Sequence, residues 1–307
     1  IAGENLDAEQ VRSSIARHLG MDIGGTPSVA RHIDGIVEMM LDATRNYDTP
    51  LTADRLFGWH AAMFPTGRSG MRNITVGAWR TSDAGPMQVV SGPMGREKVH
   101  FEAPEADLLP DEMESFLKWF NSPNKTDSVL KAAIAHFWFV TIHPFEDGNG
   151  RMARAIAEMA LARSDESSER YYSMSSQIES ERNDYYESLK QSQRMDLDIT
   201  RWLRWFLECL GRSIEGAGDK LTTVLRKAQI WERINTSSVN ERQQKIISRL
   251  LNDFQGNLNT SKYAKMAKCS TDTALRDIRE LLDRNILIQN PGGGRSTNYS
   301  LREPDES

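Results

Sequence analysis

His143-Pro144-Phe145-Glu146-Asp147-Gly148-Asn149-Gly150-Arg151-Met152-Ala153-Arg154 decides how the rest of the chain is read. Upstream, Val129, Leu130, Ala133, Ile134, Phe137 and Val140 recur at helical spacing, with Asp127 placed to cap the helix. Pro144 disfavours helical geometry at the residue before it, so this helix is expected to stop near His143. Gly148-Asn149-Gly150 permits positive φ and a tight turn. A second helical pattern follows, with Met152, Ile156, Met159 and Ala160 turned inward. The stretch is thus a loop between two buried helices that feeds a helix N-terminus, where backbone N–H groups form a ready anion site. Arg151 and Arg154 are three apart and can share a face as phosphate donors. Asp147 stands where a carboxylate could hold Mg²⁺, and His143 can accept a proton near neutral pH. The bland alternative is an ordinary helix–loop–helix with solvated charges and a core histidine. It suits a lone His or a lone G-x-G, but not all these residue types together.

The 307 residues allow one large or two modest domains, and 39% hydrophobic with 26% charged residues fits a globular chain. No apolar run reaches membrane-spanning length. Cys209 and Cys269 fall in different expected modules, which argues against a disulfide framework and for a reducing, cytoplasmic setting. The chain begins with Ile1 and shows no signal pattern, so it is expected to start inside a longer protein. Charge is uneven: residues 240–302 carry +5, the tail 303–307 carries −3, and the remaining −7 lies before residue 240.

Asp7 to Leu19 reads as a helix capped by Asp7, with Gln10 completing a capping-box-like pair and Val11, Ile15 and Leu19 inward. Ser28–Tyr47 and Thr52–Phe64 follow as helices, the first burying Ile33, Ile36, Val37, Met40 and Leu41. His60 lies on the second and reads as a packing or surface histidine. Residues 65–104 lose the helical period, and Gln88–Val90 and Lys98–Phe101 flank a Gly/Pro turn as a short β-hairpin. Pro110–Phe120 is an amphipathic helix. After the motif helix, Ala162–Arg170 reads as a loop, Ile178–Leu189 as a helix and Asp198–Ile214 as a strongly amphipathic helix. Gly211, Gly216 and Gly218 are expected to end that helix before a connecting one, Lys220–Ile234. Residues 240–302 then read helix, helix, turn, helix, hairpin, with Thr260 and Thr271 as caps. Gly292–Thr297 is not a Walker loop, because it lacks the lysine and precedes a strand. Metal hydrolysis is disfavoured: there is no H-E-x-x-H, and His136 and His143 lack a third ligand.

The twelve-residue stretch matches the pattern HPFx(D/E)GN(G/K)RxxR of Fic domains at every specified position. The chain therefore resembles the Fic nucleotidyltransferases, in particular the bacterial branch whose Fic core is followed by a winged helix. This resemblance implies a mostly α fold: a Fic helical core with a short β-hairpin flap, then a small winged helix-turn-helix domain. The expected division is 1–218 for the Fic domain with a remnant of an N-terminal inhibitory segment, 219–239 for a connecting helix, 240–302 for the winged helix and 303–307 for the acidic tail. The implied activity is protein adenylyltransfer, AMP moving from ATP to a Ser, Thr or Tyr hydroxyl of a target protein. His143 would be the base and Asp147 the Mg²⁺ ligand. Phe145, Gly148, Asn149, Gly150, Arg151 and Arg154 would hold the nucleotide, with Tyr185 and Tyr186 near its base. Val89, Val90, Ser91 and Gly92 of the flap would pair with an extended target segment. Val76–Arg80 looks like the family's G-x-(aromatic)-R segment, to which no catalytic role is attached.

The resemblance also implies an inhibitory segment reading S-x-I-E-G-E. Ile1-Ala2-Gly3-Glu4 fits that register with Ala2 where the Glu belongs and Gly3 following it; a second register uses Glu4-Asn5. In the first, Arg154 loses an intramolecular carboxylate partner and the enzyme is de-repressed. Thr273, Arg276, Arg279 and Arg295 are candidate DNA contacts of the winged helix, whose other use is protein contact or homodimerisation. Self-modification is a further expectation, and no membrane partner is expected. The competing functions are a Fic-type transferase with another donor (UMP, phosphocholine or phosphate) and a DNA-binding regulator with a sensory Fic core. Gly150, in place of the Lys of phosphate-transferring relatives, favours AMP.

Overall fold

The structure, a computed structural model, describes residues 7–18, 29–91, 98–123, 125–194, 197–235, 239–252, 254, 256–291 and 297–302. Ala2, Gly3, Gly92 and Arg295 lie outside them. The described residues divide into two units, Ile1–Glu215 and Gly216–Ser307.

Helices dominate the first unit: α1 (Ala8–His18), α2 (Arg31–Arg45), α3 (Ala53–Met63), α4 (Leu109–Asn121), α5 (Ser128–Ile142), α6 (Asn149–Asp165), α7 (Met174–Ser180) and α8 (Arg182–Ser192). Three two-stranded antiparallel ladders occur among the described residues. In the first unit these are β1 (Arg68–Ser69) with β2 (Arg72–Asn73), and β3 (Gln88–Ser91) with β4 (Lys98–Glu102). The β3–β4 register pairs Val89 with Phe101 and Val90 with Val99, with a bulge between, so the expected hairpin is present. The β1–β2 hairpin was not foreseen, because two-residue strands carry no period.

Asp127 caps α5 as read from sequence, and Thr52, read as the first residue of the next helix, caps α3 instead. Asp7 caps α1, but the Gln10 side chain accepts from the Ala30 N–H instead of closing a capping box. On α1 the buried residues are Ser13, Ser14 and Ala16, while Ile15 is 37% exposed. The core of the unit surrounds α5 and α6, whose Ala-rich faces bring the two backbones together. Gly35 serves the same end on α2: a Cβ there would sit 1.8 Å from the Ala62 carbonyl oxygen of α3.

Three helix boundaries depart from expectation. α6 runs on to Asp165, so the loop begins later. The Ile178–Leu189 pattern spans two helices that break at Glu181. α9 runs unbroken from Thr200 to Asn235, through all three glycines expected to end it. Glycine in a helix interior costs about 1 kcal/mol, which weakens a helix without stopping it.

The second unit contains α10 (Glu241–Asn252), α11 (Thr260–Ala267), α12 (Thr271–Asp283) and the hairpin of β5 (Leu287–Gln289) with β6 (Tyr299–Leu301). Its core gathers Ile246, Ile247, Leu258, Tyr263, Ile278 and Leu281. The caps of α11 and α12 are Asn259 and Ser270, each one residue before the threonine expected; those threonines are the first helical residues. Asp277 is buried, holding Arg242 at 3.1 Å and accepting from the Tyr263 hydroxyl at 3.2 Å. It therefore does not belong to the exposed face of α12.

Candidate active site

The motif loop is assembled from both sides. His143 ends α5 with its N–H still on the Phe139 carbonyl and its backbone left-handed, φ 52° and ψ 57°. Pro144 disfavours right-handed helical geometry at its predecessor, which accounts for the end of α5 though not for the positive φ. The imidazole is buried and its Nδ1 lies 3.1 Å from the Val140 carbonyl oxygen. A carbonyl only accepts, so Nδ1 carries the proton and Nε2 keeps its lone pair. Burial pushes the ring's pKa down to about 4, helped by the Arg80 guanidinium and opposed by the Val140 carbonyl and Asp147. His143 is thus neutral throughout the physiological range, with an Nε2 lone pair able to accept a proton.

Asn149 closes the loop. Its Oδ1 accepts the Phe145 N–H at 3.0 Å and its Nδ2 donates to the Phe145 carbonyl at 2.8 Å. With both ends engaged and the side chain buried, Asn149 shapes the site, a role the sequence did not reveal. Phe145 is likewise a correction, since its ring is fully buried among His60, Trp79 and Phe57 and serves as an anchor. Gly148 has φ +85°, and a Cβ there would lie 2.9 Å from the Phe64 ring. Gly150 sits in the first turn of α6 and needs no positive φ. No side chain caps α6, so its first amides remain available to an anion.

Asp147 is 38% exposed at the mouth of this turn. Its Oδ1 accepts from the Gly148 N–H at 2.6 Å and stands 3.9 Å from Arg151, while its Oδ2 accepts from the Ser69 hydroxyl. Among the described residues no three His, Cys, Asp or Glu side chains gather into a metal cage. A single pre-oriented carboxylate, completed by phosphate oxygens and water, is the arrangement Mg²⁺ favours, so Asp147 fits that ion. Neighbouring Glu146 is held by the Thr75 N–H at 3.1 Å and Arg72 at 3.3 Å, which keep its carboxyl below the usual range against the effect of burial.

Arg151 and Arg154 both border a cavity of about 510 Å³, walled by apolar residues of α1 and α2, including Val11 and Ile15, by Glu158, Arg170 and Tyr172, and by the start of α7. Val11 and Ile15, expected to face the core, border this cavity instead, and Ile15 is exposed. Arg151 lies over the Phe64 ring at 4.9 Å. Arg154 forms no ion pair with any described residue, and its charge helps burial depress the His136 ring to about 3. Tyr185 is not open to a base: it is 2% exposed, hydrogen-bonded to His136 at 3.1 Å and packed against Trp202 and Trp205. Tyr186 is half-buried with Arg182 over its ring at 5.8 Å.

Four supporting residues escaped the sequence reading. His60, read as a packing or surface histidine, is a packing one that also holds the loop. It is fully buried, stacks on Phe145 and donates from Nε2 to the Asp147 carbonyl at 3.2 Å. Ser69 and Arg72, on the unforeseen hairpin, hold Asp147 and Glu146. Arg80 donates to the His143 carbonyl at 2.9 Å. Only Arg80 stood in a recognisable segment. In the second unit, Arg276 and Arg279 are exposed on α12, while Thr273 is half-buried and bonded to the capping Ser270.

Residues 50–161, which hold this arrangement, match the family described as Fic/DOC. The chain is 32% identical over 114 residues to the protein adenylyltransferase Fic of Nematostella vectensis, covering 36% of this chain and 25% of that protein. It is 41% identical over 64 residues to the protein adenylyltransferase fic-1 of Caenorhabditis briggsae, covering 20% of this chain and 12% of that one. The chain thus spans a quarter or less of the length of these relatives. A Fic family protein from Desulfovibrio desulfuricans shares the fold, with a TM-score of 0.51 at 20% identity over 97% of this chain and 81% of that one. A Fic-domain signaling protein from Bacteroides thetaiotaomicron gives a TM-score of 0.51 at 21% identity over 70% of this chain and 80% of that one. No helix among the described residues is long and apolar enough to cross a membrane.

Proposed function

We propose that the protein transfers AMP from ATP to a hydroxyl side chain of a target protein. The observation that carries this reading is the tautomer of His143: Nδ1–H is committed to Val140, leaving a neutral Nε2 beside an open helix N-terminus. Nε2 takes the proton of a Ser, Thr or Tyr hydroxyl as that oxygen attacks the α-phosphate, and the bond to the pyrophosphate breaks. The first amides of α6 and the guanidinium groups of Arg151 and Arg154 neutralise charge on the departing phosphates. Asp147 would hold Mg²⁺, which would supply neutralisation of phosphate charge. Names of the relatives, protein adenylyltransferase, support AMP as the group transferred.

The test is labelling of lysate proteins and of the protein itself. Label from α-labelled ATP should appear with the wild type and vanish with His143→Ala. Equal labelling by both would defeat the reading, while label only from UTP, a phosphocholine donor or γ-labelled ATP would replace the donor. De-repression belongs to the same proposal: with Ala2 at the inhibitory position, Ala2→Glu should suppress labelling, and unchanged rates would remove position 2 from regulation.

A second role is proposed for the second unit, read as a winged helix that binds DNA. Arg276 and Arg279 are exposed on α12, and the burial of Asp277 removes one acid from their face. A shift assay with genomic fragments should lose affinity, and salt dependence, when both arginines become alanine.

A further inference from the structure

Residues Trp79 and Arg80 clasp three consecutive residues of the motif loop. The Trp79 ring packs on Phe145 at 5.1 Å, and the Arg80 N–H donates to the Pro144 carbonyl at 2.9 Å. The Arg80 Nε donates to the His143 carbonyl at 2.9 Å, and its NH2 donates to the Pro104 carbonyl. Pro104 lies just past β4, where the Ala103 N–H bonded to Met87 extends the β3–β4 ladder. Arg80 is only 5% exposed and pairs with no carboxylate among the described residues. A guanidinium is costly to bury without a counter-charge, and a methionine or leucine would fill the same space more cheaply. What a hydrocarbon cannot do is bridge two carbonyls from separate segments with fixed fork geometry.

We propose that Arg80 is a positioning residue that couples the β3–β4 hairpin to His143. A target segment lying along the hairpin is thereby presented to Nε2 at a constant distance, because the hairpin base and the histidine's own carbonyl hang on one rigid group. This rests on the transferase reading above, with the hairpin as the docking strand. His143 has a left-handed backbone, a conformation that survives only where its surroundings enforce it, and Arg80 bonds to the carbonyl that this conformation presents.

The experiment compares wild type with Arg80→Met and Arg80→Lys. Lysine keeps the charge and one hydrogen bond but cannot span both carbonyls. Three quantities are measured: binding of a non-hydrolysable ATP analogue, self-modification or target modification at saturating ATP, and the thermal midpoint. The expected result for Arg80→Lys is a loss of roughly 10²-fold in transfer, the scale of an ångström-sized misplacement, with analogue affinity changed less than about threefold. An equal loss of transfer, analogue binding and midpoint would show a general structural role and overturn the proposal, as would transfer at the wild-type rate. A crystal structure of Arg80→Lys gives a readout independent of activity. The Pro104-to-His143 carbonyl separation should widen or His143 should leave positive φ; neither change would also overturn it. If the wild type transfers nothing from any donor, the transferase reading fails separately, and the crystal structure still decides whether Arg80 joins the two segments.

Discussion

The imidazole of His60 lies flat on the phenyl ring of Phe145, 4.2 Å between centroids and 11° between planes. The Gly77 N–H points at its Nδ1 (3.4 Å), so the Nε2–H is free to donate to the Asp147 carbonyl (3.2 Å). One neutral ring thus supports the phenylalanine of the motif and the main chain of its acid. His60→Phe keeps the stack and deletes both polar contacts. It is expected to cost about 1–3 kcal/mol, from the buried groups left unpaired, and to weaken nucleotide binding. Calorimetric titration and a denaturant melt check this; unchanged values in both would show that the ring only fills space.

Proton linkage makes a second prediction. Burial holds His60 and His143 at about 4 and His136 at about 3, below the ordinary 6.5. The unfolded chain therefore binds protons first as pH falls. The stability these rings allow is fully present above about 6.5 and drains as pH drops toward 4. The midpoint of urea unfolding should be flat from pH 8 to 7 and fall between 6.5 and 5, before most carboxylates titrate. Transfer by His143 should stay near its plateau down to about pH 5. An acid limb centred at 6.5 would mean that the base is solvated.

Gly148→Ala is expected to damage both fold and site. The residue combines φ +85° with a Cβ position 2.9 Å from Phe64, whose ring also carries the Arg151 guanidinium. The backbone strain alone is about 1–2 kcal/mol. The melt should fall by at least that much, and analogue binding should weaken as Phe64 and Arg151 shift. A stable variant with normal binding would place the turn outside the anion site.

Asp277→Ala should destabilise the second unit. It leaves the Arg242 guanidinium and the Tyr263 hydroxyl without their shared acceptor. Breaking a buried charged pair costs about 3–5 kcal/mol; exposure of Arg242 puts this one at the low end. Hydrogen exchange should rise across residues 241–301 and stay unchanged across residues 128–165. A rise confined to the second of these stretches would contradict the division into two units.

The parts legible in the sequence were those governed by local physics. Pro144 set the end of α5, Asp127 capped it, and the glycines of the motif marked the turn between α5 and α6. What stayed hidden depended on contacts between distant segments. Asn149 and Phe145 look like ligand residues in a motif and act as a staple and an anchor, which only their burial reveals. Tyr185 followed the same pattern, since a tyrosine on a helix reads alike whether it faces a ligand or a core. His60, Ser69 and Arg80 reach the loop across 63 to 87 positions of sequence, a distance over which periodicity says nothing. The glycines of α9 misled in the opposite sense, because a residue that weakens a helix need not end it.

Asn149-Gly150 has a consequence for how the protein ages. An asparagine followed by glycine is the pair most prone to cyclise to a succinimide and open as aspartate or isoaspartate, because glycine leaves the attacking amide unhindered. Here that amide lies in the first turn of α6, and the asparagine's own carboxamide is engaged at both ends by Phe145. The folded molecule is therefore protected at its most labile bond, and the open chain is not. Conversion to aspartate would set an acceptor against the Phe145 carbonyl and hold the loop apart. Each episode of unfolding thus carries a chemical risk of permanent loss, recorded as a one-dalton mass gain at a single residue.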